Sequence, residues 1–179
     1  MDTLILNFSS RRDGNCYGLA RLVKEILSGD VEIVDFCDLD VHPCGKCGYE
    51  CFKGGPCPLA ADGIPGIYER IAQAKQVVFL VPNYCGYPCG NFFAFNERGC
   101  SYFGNQRERL TKFLAAPKKF IAVSNSENES FLQAFSYLTG KQEPQILFLS
   151  SNAYGCSSLG GGLAKANGVK AALAQFLYT

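Results

Sequence analysis

The chain has 179 residues, 47% hydrophobic and 18% charged, which is enough apolar material for one packed domain and too little length for two. A formal charge of +1 without a basic stripe argues against a nucleic-acid partner, and no apolar run approaches the ~20 residues of a membrane span, which argues against a membrane one. The apolar N-terminal stretch is too short for a signal peptide and its positive charges follow it, so the expectation is a cytoplasmic protein whose ten cysteines are not a disulfide framework.

Leu4 to Phe8 is a short, continuous apolar run of the kind buried on both faces of a parallel sheet. A polar loop follows and opens a helix from about Asn15 to Ser28, with Leu19, Leu22, Val23, Ile26 and Leu27 at helical spacing. Val31 to Phe36 alternates and reads as a strand in a partly exposed or edge position. Leu39 to Ile64 is a loop of Gly, Pro and Cys without apolar periodicity, long enough to need a ligand or a task. A helix from about Pro65 to Ala74 leads to Gln76–Pro82, the most apolar strand and the expected centre of the sheet.

A second Gly/Pro/aromatic loop, Asn83 to Asn91, precedes a stretch to Ala115 that is helical in parts, with a break near Gly99 or Gly104. Lys118 to Ser126 is a fourth strand and its loop. Glu129 to Gly140 is a helix, Pro144 to Ser151 a fifth strand, and Tyr154 to Gly162 a Gly/Ser loop. Leu163 to Leu177 is a last helix. Five strands alternating with about five helices predict one α/β domain over residues 1–179, a five-stranded parallel sheet covered on both faces. Ligands of such sheets sit beyond the carboxyl ends of the strands, where the loops after the first, third, fourth and fifth strands meet.

The first loop is built for an anion. Unpaired N–H groups at a helix start favour negative charge, Ser9 adds a hydroxyl, Arg11 and Arg12 add guanidinium groups, and Gly14 permits close approach. The Walker pattern is absent, since Gly161 stands where its lysine belongs, and Ser9 and Ser10 occupy the turn of the dinucleotide pattern. Cys16 and Arg21 are one residue too close for a Cys-x5-Arg phosphatase. A monophosphate loop remains.

Ser9-Ser10-Arg11-Arg12-Asp13-Gly14-Asn15-Cys16 resembles the S-x-R-x-x-G-N-[TC] loop of the NADPH-dependent FMN reductase and iron–sulfur flavoprotein families. Pro82-Asn83-Tyr84-Cys85-Gly86-Tyr87-Pro88 is similar to their P-x-Y-x-G-x-P segment, and the cysteine loop, followed by Asp62, is similar to their C-x2-C-x2-C…C segment. The resemblance implies a flavodoxin-like three-layer sandwich, FMN as cofactor, NAD(P)H as electron donor, and a quinone, flavin or other electron acceptor. It also implies a homodimer or homotetramer. The Phe-rich segment Phe92 to Gly104 reads either as such an interface or as the apolar face of a helix.

Ser9, Arg11, Gly14, Asn15 and Cys16 would then serve the FMN phosphate by side chain or backbone. Pro82, Asn83, Tyr84, Cys85 and Gly86 would lie along the ring, with backbone amides at its pyrimidine edge. Ser124 and Asn125 would reach the ring or ribityl chain. No side chain is needed as acid or base, because the chemistry belongs to the cofactor. The only histidine, His42, sits in the cysteine loop and reads as structural.

Cys44, Cys47, Cys51 and Cys57 place four thiols within 14 residues, a density that suits an iron–sulfur centre or zinc, with a redox disulfide or plain buried thiols as the other readings. Three residues separate Cys47 from Cys51 where the iron–sulfur flavoproteins have two. An alternative to the reductase is an FMN plus iron–sulfur electron carrier without its own NAD(P)H site.

Overall fold

The computed structural model describes residues 1–45, 47–125, 129–140 and 142–179. Lys46 in the cysteine loop and Ser126 at the end of the expected fourth-strand loop lie outside the described residues. Among the described residues there are six strands: β1 (Thr3–Asn7), β2 (Val31–Asp35), β3 (Gln76–Tyr84), β4 (Tyr87–Pro88), β5 (Lys118–Val123) and β6 (Gln145–Leu149). Five of them form a parallel sheet in the order β2-β1-β3-β5-β6, with β3 central and the alternating β2 at an edge. This is the doubly wound, flavodoxin-like order, with its switch point between β1 and β3.

The helices are α1 (Asn15–Ile26), α2 (Ile64–Gln73), α3 (Gly90–Phe103), α4 (Arg107–Ala115), α5 (Glu129–Thr139) and α6 (Val169–Tyr178). The strands explain why helices cover both faces. Along β1, Leu4 and Leu6 point to one side and Ile5 to the other; along β3, Val77, Phe79 and Val81 oppose Val78 and Leu80. Both sides are apolar, so each must be covered. The first side packs on α2, α3, α4 and α5, the second on α1 and α6. Phe8, fully buried, meets Phe36, Phe92 and Phe95 with ring centroids 4.3, 5.4 and 5.5 Å away. Truncating such a ring typically costs about 3–5 kcal/mol.

Several expectations change. The fold adds β4, a two-residue strand that turns back antiparallel on β3. Of the two breaks expected in the Phe-rich segment, near Gly99 or Gly104, the one at Gly104 is present. Gly99 lies within α3, and a Cβ there would stand 3.0 Å from the Tyr68 hydroxyl, so the close approach of α2 accounts for the glycine. Phe92, Phe95 and Tyr102 are core residues, so the helix-face reading accounts for them, while Phe93 is exposed. The last helix is two pieces, a short 3-10 turn Leu163–Lys165 and α6, separated at Asn167-Gly168.

β5 begins with Lys118 and Lys119, both buried. Strand alternation sends them to opposite helices. Lys118 Nζ donates to the carbonyls of Phe113, Leu114 (3.5 Å) and Ala116 (2.9 Å), and Lys119 Nζ to those of Phe176 (2.6 Å) and Leu177 (3.1 Å). Each lysine therefore closes the open carbonyl end of one helix, α4 or α6.

Candidate functional site

A cleft of about 300 Å³ opens at the carboxyl ends of β1, β3, β5 and β6. All twelve residues singled out from the sequence line it: Ser9, Arg11, Gly14, Asn15 and Cys16 on one wall, Pro82 to Gly86 on the next, and Ser124 and Asn125 beside them. The local chemistry of the first wall starts at Asn7. Its carboxamide donates to Asp35 Oδ1 (2.7 Å) and accepts from the Ser9 amide (3.2 Å), which sets the exit of β1. Ser9 Oγ accepts from the Arg11 amide (3.1 Å) and turns the chain toward α1. Gly14 caps α1 in extended conformation with no side-chain cap, and the first turn carries no acidic residue. The amides of that turn are thus left for an anion.

Asn15 and Arg11 do something the sequence did not suggest. Asn15 Nδ2 donates to the carbonyls of Ser157 (3.2 Å) and Ser158 (3.4 Å), and its Oδ1 accepts from the Leu163 amide (3.1 Å). Arg11 Nη2 donates to the Leu159 carbonyl (2.9 Å), while Nε pairs with Asp13 (3.0 Å). These bonds hold the loop after β6 against the anion loop as a third wall. Gly161 is where the two loops touch: its φ is +67°, and a Cβ there would lie 2.3 Å from the Asp13 carbonyl oxygen. Arg12 points away to Asp38 (2.5 Å) and does not line the cleft.

The second wall is a tight hairpin. Tyr84 pairs with Tyr87, leaving Cys85 (φ 55°) and Gly86 (φ 87°) as a two-residue turn with both central φ values positive. Such a turn at a non-glycine residue is held only by its surroundings. Asn83 supplies the brace: Nδ2 donates to Ser124 Oγ (2.5 Å) and Oδ1 accepts from the Gly86 amide (2.8 Å). Ser130 Oγ donates to the Gly86 carbonyl (2.6 Å). Asn125 Oδ1 accepts from Ser151 Oγ (2.9 Å) and the Asn152 amide (3.2 Å), tying the loop after β5 to that after β6.

Cys16 and Cys89 lie buried beneath the cleft. Burial pushes the Cys16 thiol far up and moves Cys89 up to about 11, each thus neutral near pH 7. A neutral thiol at the helix start does not repel an anion, and it is no nucleophile. The donor set fits an FMN: helix-start amides and a hydroxyl suited to a monophosphate, and beside them a slot walled by the Tyr84–Tyr87 hairpin.

A second cavity, about 100 Å³, lies under the cysteine loop. Cys44, Cys47, Cys51 and Cys57 line it, joined by Cys100 of α3. All ten cysteines are free thiols. Among the described residues, no three Cys, His, Asp or Glu side chains already meet around one point suited to a single metal ion. Arg98 of α3 is the post around which the loop is wound. It pairs with Asp62, donates to the carbonyls of His42 (3.2 Å) and Leu59 (2.9 Å), and approaches Cys57 Sγ at 3.8 Å. Its Nε has no hydrogen-bond partner among the described residues.

Sequence reading missed Val123, Ser151, Ser158 and Leu159 in the cleft, and Arg98 and Cys100 in the cavity. The loop after the fifth strand was expected at this sheet edge, but its individual residues were not singled out. Arg98 carried one signal: an arginine in the middle of an apolar helix face needs a buried partner.

Fold and cleft together define a doubly wound flavodoxin-like protein with a cleft at its switch point. The family model for NADPH-dependent FMN reductase matches residues 1–128. The chain therefore belongs to the NADPH-dependent FMN reductase family and is an FMN-using oxidoreductase. Among solved structures, a Trp repressor binding protein from Bacillus subtilis is similar over 98% of each chain at 18% identity, TM-score 0.67. An FMN-dependent NADH-azoreductase from Bacillus anthracis, in complex with FMN, is similar over 99% of each chain at 13% identity, TM-score 0.63. FerB, an NAD(P)H:(acceptor) oxidoreductase from Paracoccus denitrificans, covers 99% of this chain and 96% of its own at 13% identity, TM-score 0.59. At these identities the likeness is one of fold. Comparison with curated proteins finds no match. No helix among the described residues is long and apolar enough to cross a membrane.

Proposed function

We propose that the chain, as a single domain, binds FMN in the cleft and reduces a quinone, flavin or other acceptor with electrons from NAD(P)H. The phosphate lies at the start of α1, on the amides of Gly14, Asn15 and Cys16 and on Ser9 and Arg11. The ring lies along Pro82 to Gly86, with Ser124 and Asn125 toward the ring or ribityl chain. Bound FMN supplies the hydride-accepting and electron-donating ring. The protein's part is to bind and orient. Asn83 and Ser130 fix the hairpin so that its amides face the pyrimidine edge, and Asn15 and Arg11 hold the third wall over the phosphate.

The observation that supports this reading is the convergence of all twelve residues, from three separate loops, on one cleft at the switch point. FMN titration followed by anaerobic addition of NADPH or NADH tests it. Stoichiometric FMN uptake and loss of the bound-flavin absorbance are the expected results; a protein that takes up no FMN overturns it. The cytoplasmic setting expected from the sequence is part of this proposal. A homodimer or homotetramer, implied by the family, is read out by light scattering on the FMN-loaded protein.

A second reading is favoured by one observation: the four loop cysteines line a single cavity. On this reading the cavity holds an iron–sulfur centre on Cys44, Cys47, Cys51 and Cys57, and the protein is a carrier without its own NAD(P)H site. Bleaching by a reduced ferredoxin but by neither nucleotide would favour it.

A further inference from the structure

The anion loop is held from behind by a charged pair that lies outside the cleft. Asp35, the last residue of β2, stands opposite Asn7, the last residue of β1, in the register of the sheet. Its carboxylate is 6% exposed and takes Arg21 of α1 across both oxygens, Nη1 on Oδ1 at 2.8 Å and Nη2 on Oδ2 at 2.5 Å. The guanidinium in turn lies 3.4 Å over the Tyr17 ring. Arg21 and Asp35 do not line the cleft.

A buried ion pair adds little net stability over apolar side chains of the same size, because desolvation offsets the attraction. Its place in the sheet gives this pair another task. The oxygen that accepts from Arg21 Nη1 also accepts from Asn7 Nδ2, at 2.7 Å. A carboxylate paired with a guanidinium is ionised and can only accept, so it admits the NH2 end of the Asn7 amide and excludes its oxygen. Asn7 is fully buried, and its oxygen is thereby turned to the Ser9 amide, which donates to it at 3.2 Å. With the carboxamide reversed, its NH2 group would face the Ser9 N–H, donor against donor, and the exit of β1 would lose that bond. Ser9 passes the constraint on, since its Oγ accepts from the Arg11 amide at 3.1 Å, where the chain turns toward α1.

We propose that Asp35, balanced by Arg21, is a positioning residue for the cofactor's phosphate: it fixes the polarity of the Asn7 amide and so sets Ser9 and the anion loop in place before the anion arrives. This rests on the phosphate reading of the cleft and deepens it. Asp35 acts through Asn7 and Ser9 and touches no part of the ligand. A site that is ordered beforehand spares the ligand the cost of ordering it. The benefit therefore falls on a ligand that carries a phosphate.

The test compares FMN with riboflavin, which has the same ring and ribityl chain and no phosphate. Arg21→Met/Asp35→Leu removes the acceptor together with its counter-charge, and Asn7→Leu removes the middle of the chain of bonds. Each is expected to weaken FMN binding at least about tenfold and to leave riboflavin binding within about twofold of wild type, read by flavin fluorescence. The two changes combined are expected to cost no more than the larger of them alone, because they break one chain. In the full chain without flavin, the Ser9 amide should exchange with solvent faster in both variants while the amides of β3 keep wild-type protection, read by nuclear magnetic resonance. Either variant suffices should the other not fold. Equal losses for FMN and riboflavin would make the pair a part of the fold alone, and unchanged FMN affinity would detach it from the anion loop; each result overturns the proposal. If wild type itself takes up no FMN, the phosphate reading falls first and this inference with it.

Discussion

Arg98 and Asp62 form a buried ion pair, the side chains 1% and 6% exposed, that fastens the cysteine loop to α3. Both terminal nitrogens of Arg98 reach the carboxylate, and the same guanidinium takes in the His42 and Leu59 carbonyls from the two flanks of the loop. The pair organises a segment that has three short 3-10 turns near it and little apolar core of its own.

Removing one partner leaves a buried charge without compensation. Asp62→Asn is therefore expected to cost about 3–5 kcal/mol in urea unfolding. The double variant Arg98→Met/Asp62→Leu is expected to recover much of that loss, because two apolar side chains replace two charges. Hydrogen exchange separates the local effect from the global one: in the double variant, residues 42–62 should exchange faster than the sheet. A double-variant cost equal to the sum of the costs of Arg98→Met and Asp62→Leu made singly would show that the pair is not coupled.

The sheet was legible because its strands are apolar on both faces, and β3 announced its central place by composition alone. The cleft was legible because sheet-edge loops must converge at a switch point. What sequence could not show was how those loops lean on one another. Asn15 was expected to serve a phosphate; its carboxamide is taken up by Ser157, Ser158 and Leu163. That contact joins residues more than 140 positions apart, and no local pattern encodes it. Arg98 was hidden for the same reason, its partners lying 36 to 56 positions away.

Gly161→Ala tests the third wall. A Cβ at this position would stand 2.3 Å from the Asp13 carbonyl oxygen, and the residue holds φ +67°. Either the loop lifts or the anion loop shifts. Because the phosphate is proposed to bind on the anion loop, FMN affinity is expected to fall at least about tenfold, which corresponds to about 1.4 kcal/mol. Stability without FMN should fall by about 1–3 kcal/mol. Fluorescence titration and denaturant unfolding read the two effects. Unchanged FMN affinity would detach this loop from the cofactor site.

Asn83→Ala removes the brace of the hairpin. The Ser124 hydroxyl and the Gly86 amide both lose a partner, and Cys85 is left in a positive-φ turn with less to hold it. Loss of about 0.5–1.5 kcal/mol is expected for each of the two hydrogen bonds removed. Since Asn83 fixes the hairpin amides, the flavin absorption band of the loaded variant should move toward that of free FMN. Asn83→Asp keeps the acceptor for the Gly86 amide and should shift the band less. A band identical to wild type in both variants would rule out a role for the brace in seating the ring.

Lys118 links the fold to pH. Burial moves its ammonium group down from 10.5 to about 8, against the pull of the carbonyls of Phe113, Leu114 and Ala116 that accept from it. Below pH 8 the lysine is charged whether the chain is folded or not, and burying that charge weighs fully on the folded state. Between about pH 8 and 10.5 the folded chain releases the proton while the unfolded chain keeps it. The unfolded state then binds more protons, so this residue makes stability rise with pH. Cys89, moved up from 9.0 to about 11, acts in the opposite direction over pH 9 to 11, because there the folded chain keeps its proton longer. Lys118→Met separates the two. The stability of wild type minus that of Lys118→Met should be flat below pH 8 and climb by up to about 3 kcal/mol toward pH 10.5. A difference that stays level across that window would mean that the three carbonyls keep the buried lysine charged and that it does not titrate there.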